Sequence, residues 1–141
     1  TAAELLPAAV FAGYPISVHW STDDGSYGYC GRVPELFAEF MESALPRPAA
    51  VYSCGPLAMQ YHVARWALSH GTPAQLSLES YMACGVGACL GCALPSPSDG
   101  GDPSEDHYVH VCKDGPIFEA GSIQWHKIQY QRTESPILAY S

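Results

Sequence analysis

The chain has 141 residues, 48% of them hydrophobic, which is enough for one domain, or one domain and a small appendage, with a proper core. Fourteen acidic residues against six basic ones give a formal net charge of −8, which argues against nucleic acid or an anionic membrane surface as a partner. No apolar run reaches the length of a membrane span and no charged-then-apolar leader opens the sequence, so its six cysteines read as reduced thiols or metal ligands in the cytoplasm.

Residues 3–12 are apolar and predict a short helix around Pro7, ending at Gly13. Residues 16–22 alternate apolar and polar, a strand signal, and run into the turn-rich stretch from Thr22 to Gly28. Val33, Leu36, Phe37, Phe40, Met41 and Ala44 then recur at helical spacing, with Pro34 near the start and Pro46 past the end. Residues 49–53 form a short strand of buried type. A second helix follows, with the stripe Met59, Val63, Trp66 and Ala67, Pro56 at its first turn and Gly71 past its end. Residues 75–79 predict a third strand. Residues 1–80 therefore read α-β-α-β-α-β, which implies a parallel sheet with helices packed on it. Ligands of such sheets bind outside the carboxyl ends of the strands, where Thr22–Ser26 and Ser53–Pro56 both fall.

Next comes the stretch that carries the chemistry. Cys84, Cys89 and Cys92 are spaced C-x4-C-x2-C, and Cys112 follows after nineteen intervening residues. This is the plant-type spacing for a two-iron, two-sulfide (2Fe–2S) cluster. Two tetrahedral irons need four thiolates, two apiece. A tight loop delivers three, and a neighbouring segment must bring the fourth. Gly85, Gly87 and Gly91, with Ala83 and Ala88, let the backbone wrap a bulky anion and bring peptide N–H groups to its sulfurs. Zinc also takes four cysteines, but only Cys89 and Cys92 have the spacing of its usual knuckles. A Rieske centre needs two histidine ligands, and although His110 lies near Cys112, the cysteine loop holds no second histidine. Disulfides fit a chain without secretory features poorly.

From Ser96 to Asp106 the sequence is rich in Pro, Ser, Gly and Asp and predicts a flexible acidic excursion. Residues 107–112 alternate again, a strand carrying the last thiolate. Asp114 to Pro116 turn the chain, and Ile117, Phe118, Ile123 and Trp125 are expected to cap the cluster lobe. Residues 126–141 show no pattern. Cys30 belongs to no motif, the six histidines are scattered, and Arg32 at a helix start reads as a solvent-facing charge.

Four stretches in order, Thr22–Gly28, Ser53–Pro56, Ser77–Cys92 and Val111–Phe118, together resemble the electron-transfer subunit of bacterial NAD-dependent dihydroorotate dehydrogenase, within the ferredoxin–NADP reductase superfamily. The resemblance covers residues 3–125. It implies a path in which NADH reduces FAD, the flavin passes electrons singly to the 2Fe–2S cluster, and the cluster exchanges them with FMN in a separate dihydroorotate dehydrogenase catalytic subunit of pyrimidine biosynthesis. It further implies that Cys84 and Cys89 hold one iron and Cys92 and Cys112 the other. Cys54, Gly55 and Pro56 would lie by the nicotinamide, and Thr22, Asp23, Asp24 and Gly25 by the adenosine end. The blander readings are a small apolar residue at a strand end for Cys54 and a solvated turn for Asp23 and Asp24.

The sequence departs from the family in lacking the FAD-binding barrel and the glycine-rich first strand of the nucleotide domain, and in its long gap before Cys112. The expected architecture is α/β: an incomplete parallel-sheet nucleotide-binding half-domain over 1–80, a small ferredoxin-like 2Fe–2S lobe over 81–125, and a tail over 126–141. It reads as the carboxyl-terminal portion of such a subunit. FAD and NAD(H) belong to the intact oxidoreductase subunit, and FAD is not expected in this chain. The alternatives are a flavin and iron–sulfur subunit of a cytoplasmic hydrogenase or a ferredoxin–NADP oxidoreductase, and, in another class, a zinc-stapled interaction module.

Overall fold

A computed structural model describes residues 1–98 and 106–128. Most of the acidic excursion and residues 129–141 of the tail lie outside them. The backbone divides into two compact units, Thr1–Ala44 and Leu45–Ser141.

In the first unit the helix expected over 3–12 is two short 3₁₀ turns, Ala2–Glu4 and Ala8–Phe11. Proline disfavours helical backbone in the residue before it, and the chain is extended by Leu5 (φ −74°, ψ 145°), so the apolar run is split at Pro7. The strand expected over 16–22 shrinks to β1 (Ser21–Thr22), paired in parallel with β2 (Tyr29–Cys30). Its alternation buries little, because Ile16 and Val18 both face solvent. The loop between β1 and β2 is closed from within. The Thr22 hydroxyl donates to the carbonyl of Tyr27 at 2.9 Å and accepts from its N–H at 3.1 Å. Asp24 accepts from both the N–H and the hydroxyl of Ser26, and the latter holds its carboxyl below the usual range. Helix α1 (Val33–Ser43) forms as expected, with Pro34 in its first turn and Glu35 accepting the N–H of Arg32 at 2.8 Å.

The second unit holds the core. Strand β3 (Val51–Cys54), helix α2 (Leu57–His70) and β4 (Ala74–Ser77) make a β-α-β unit, with β3 and β4 parallel from Val51↔Ala74 to Cys54↔Ser77. The parallel sheet expected across residues 1–80 is thus confined here to one pair of strands. Its third strand is β7 (Ile117–Glu119), antiparallel to β4 with Leu76 opposite Phe118. Expected to cap the cluster lobe, residues 117–125 instead complete the α/β layer. Phe118, Ala120, Ile123 and Trp125 are buried, and the Trp125 ring packs edge-on to Tyr61 of α2.

Helix α2 turns Gln60, Val63, Ala64 and Ala67 inward. Two of these are alanines, which let the helix lie close on the sheet, so the buried stripe omits the expected Met59 and Trp66. Leu76 and Leu78 are fully buried, each contributing about 1.5–3 kcal/mol through apolar area removed from water. Strands β5 (Ala93–Ser96) and β6 (His107–His110) form a separate antiparallel pair, from Ala93↔His110 to Ser96↔His107. The N–H of Gln124 donates to the carbonyl of Pro95 at 2.8 Å and ties this pair to the α/β layer.

Candidate metal centre

The cysteine loop leaves the sheet at the end of β4 and returns as β5. Between Glu79 and Gly91 it forms no regular element, and its path is set by left-handed backbone at Gly85 (φ 70°), Gly87 (φ 80°) and Leu90 (φ 60°). An L side chain adopts such angles at a cost that glycine escapes, so Gly85 and Gly87 are the local reason for the wrap. The wrap turns amides inward. The N–H groups of Val86 and Ala88 point at the Cys84 sulfur at 3.5 and 3.3 Å. Donors aimed at a sulfur favour its anionic form. The Val86 N–H, then the N–H and thiol of Cys89, pull the Cys84 thiol down from 9.0 to about 6.

The fourth cysteine arrives from the other side. Strand β6 ends at His110, so Cys112 sits in the following turn rather than in the strand expected to carry it. That turn is closed by the N–H groups of Lys113 and Asp114 donating to the carbonyl of His110. The N–H of Val111 donates to the carbonyl of Cys92 at 3.1 Å, which sets Cys92 and Cys112 side by side. The Cys92 thiol, and then burial, push the Cys112 thiol up, while the Gly87 N–H acts against both. The four predicted cysteines lie as two neighbouring pairs, Cys84 with Cys89 and Cys92 with Cys112. Among the described residues no three His, Cys, Asp or Glu side chains converge on a single point suited to one ion.

Two pairs of thiols around inward-facing amides are the donor set a two-iron cluster requires, so these residues fit the group that their spacing predicts. Cys92 is buried, Cys84 and Cys112 are half-buried, and Cys89 is exposed. The rim is apolar and open: Tyr81, Met82, Val86 and Leu90 all face solvent, Leu90 with 66% of its surface. Two residues that sequence reasoning passed over stand against Gly87. A Cβ built there would lie 3.1 Å from Lys113 Cδ and 3.7 Å from His110 Cγ. The signal for His110 was its place two residues before Cys112 in an alternating run.

The residues expected at the nucleotide fall in different units. Thr22, Asp23, Asp24 and Gly25 form the β1–β2 loop of the first, where the Thr22 hydroxyl and the Asp24 carboxylate are engaged within the loop. In the second, Cys54 is exposed at the end of β3, and Gly55 and Pro56 lead into α2. Cys54 opens onto a cavity of about 260 Å³ with Tyr52, Ser53, Gln75, Ser77 and Ile117. Beneath it, Gln60 is wholly buried, and its side-chain N–H₂ donates to the carbonyls of Gly55 (3.4 Å) and Ser77 (3.1 Å). One side chain thus ties together the ends of β3 and β4. A lone glutamine in a helix gives no sequence signal for that role.

Comparison with known proteins bears on the same stretch. Residues 79–124 match the family model for the iron–sulfur cluster binding domain of dihydroorotate dehydrogenase B. The electron transfer subunit of dihydroorotate dehydrogenase B (NAD(+)) from Listeria innocua is 42% identical over 107 residues, 76% of this chain and 38% of the relative. Its counterpart from Geobacillus thermodenitrificans is 38% identical over 123 residues, 87% of this chain and 43% of the relative. The chain thus spans about two fifths of the length of these relatives. A chain of the NADH-dependent reduced ferredoxin–NADP oxidoreductase structure superposes with a TM-score of 0.55 at 24% identity, over 77% of this chain and 37% of that one, a likeness of fold alone. The resemblance read from the motifs is borne out: residues 79–124 match the cluster-binding family of dihydroorotate dehydrogenase B, and the chain is a relative of that enzyme's electron transfer subunits.

Proposed function

We propose that this chain is the iron–sulfur electron-transfer part of an NAD-linked flavoenzyme, relaying electrons between NADH and FAD on one side and an FMN-containing dihydroorotate dehydrogenase catalytic subunit on the other. The observation that carries this reading is the pairing of Cys84 with Cys89 and of Cys92 with Cys112, inside the segment that matches the cluster-binding family. Cys84 and Cys89 would hold one iron and Cys92 and Cys112 the other. Such a cluster supplies one-electron storage between two-electron flavins. The protein's contribution is electrostatic and steric. The Val86, Ala88 and Gly87 amides stabilise negative charge on the sulfurs, and Lys113 brings a cation to a chain whose net charge is −8.

In this reading residues 1–80 are part of a nucleotide-binding half-domain and residues 126–141 a tail, while residues 81–125 carry a ferredoxin-like lobe whose closing stretch, from β7 onward, also completes the sheet of that half-domain. Cys54, Gly55 and Pro56, at the end of β3, would lie by the nicotinamide. FAD is held by the intact cytoplasmic subunit and not by this chain. The exposed rim at Leu90 is the docking face for the FMN-containing partner, because an apolar side chain held out to solvent between two cluster ligands gains from being covered. Leu90→Asp is the test. Aspartate tolerates left-handed backbone better than leucine does, so the loop keeps its path. In the intact complex the substitution should slow cluster-to-FMN transfer about tenfold or more, while NADH reduces the flavin at the original rate. Unchanged rates for both steps, with the subunits still co-purifying, would remove the rim from the electron path.

A further inference from the structure

His110 holds one buried polar atom with nothing to bond. Its Nε2 has no hydrogen-bond partner among the described residues, although it is closed off from solvent. The other ring nitrogen, Nδ1, lies 3.6 Å from an Asp114 carboxylate oxygen. That is longer than a good hydrogen bond, so the carboxylate holds Nδ1 only loosely and leaves Nε2 to another partner. The same carboxylate oxygen already accepts the backbone N–H of His110 at 2.8 Å, which anchors the turn rather than the ring. The ring itself stands against Gly87, whose amide points at the Cys112 sulfur. A buried polar atom left unsatisfied costs about 1–3 kcal/mol, and such a cost is retained where a partner repays it.

We infer that His110 is a positioning residue for the cluster, donating a hydrogen bond from Nε2 to a cluster sulfur on the Cys92–Cys112 side without ligating iron. The inference rests on the cluster reading above. An anionic sulfur is the acceptor that keeps the proton on Nε2, and the turn from His110 to Asp114 sets the ring and the Cys112 thiolate as one piece. A hydrogen bond to a cluster sulfur favours the reduced, more negative state and so raises the reduction potential.

The full chain with its cluster assembled, labelled with ¹⁵N in its histidine rings, separates the outcomes. The reduced cluster should show a weak ¹⁵N coupling, far smaller than that of a nitrogen bound to iron, and His110→Leu should abolish it. At a fixed solution potential, His110→Leu should lower the ratio of reduced to oxidised cluster about tenfold, which is about 59 mV for a one-electron couple. His110→Gln, which keeps an N–H donor at similar reach, should recover most of that change. If His110→Leu assembles the cluster with the same potential and no ¹⁵N coupling is lost, the inference fails and the cluster reading stands. A coupling of ligand size would make His110 an iron ligand and overturn it as well. If the unsubstituted chain assembles no cluster, the reading beneath it fails first, and this inference with it.

Discussion

At the scale of single residues, the centre works by where peptide N–H groups point. The lowered thiol pKa of Cys84 comes from hydrogen bonds, led by the Val86 amide, that favour the thiolate. Because its pKa is lowered on folding, the thiolate stabilises the folded loop fully above the ordinary value of 9.0, and this stabilisation is lost as pH falls through about 6. Before iron is added, iodoacetamide at pH 7 should modify Cys84 at close to its full thiolate rate, with the half-maximal rate near pH 6. A Cys84 labelling rate that rises only toward pH 9 would mean that the amides do not act on this sulfur. The four cysteines stand out in the sequence because their spacing is what a two-iron cluster requires. His110, Lys113 and Gln60 do not, since a lone polar residue acquires its role only when the fold brings a partner to it.

At the scale of elements, the β-α-β unit of β3, α2 and β4 does the structural work, and β7 completes it from beyond the cysteine loop. This order makes the cysteine loop, together with β5 and β6, an excursion between neighbouring strands of one sheet, leaving where β4 ends and rejoining where β7 begins. Leu76 lies fully buried in β4 opposite Phe118. Leu76→Ala should therefore destabilise the chain by about 2–5 kcal/mol in chemical unfolding, the range for a truncated core leucine. A loss under about 1 kcal/mol would mean that the sheet is not the core. Helices α1 and α2 and strands β3 and β4 were legible because their periodicity and punctuation agree with their packing. The strand expected over 16–22 was not, because its alternation is not backed by burial, and β7 escaped because its pairing partner lies some forty residues upstream.

At the scale of the whole molecule, charge and shape divide the labour. The acidic balance offers nucleic acid little, no helix among the described residues is long and apolar enough to cross a membrane, and the exposed apolar side chains of Tyr81, Met82, Val86 and Leu90 gather on the cysteine loop. Exposure of the loop suits an electron carrier, which must bring its redox group close to a partner without burying it. All of this depends on what the two thiol pairs hold. The decisive measurement is iron, acid-labile sulfide and zinc content, with an EPR spectrum of the dithionite-reduced protein, on chain prepared without oxygen. The account predicts about two irons and two sulfides per chain and a reduced 2Fe–2S signal, kept in Cys30→Ser and damaged in Cys112→Ser. One zinc per chain, with no sulfide even after reconstitution, would contradict it.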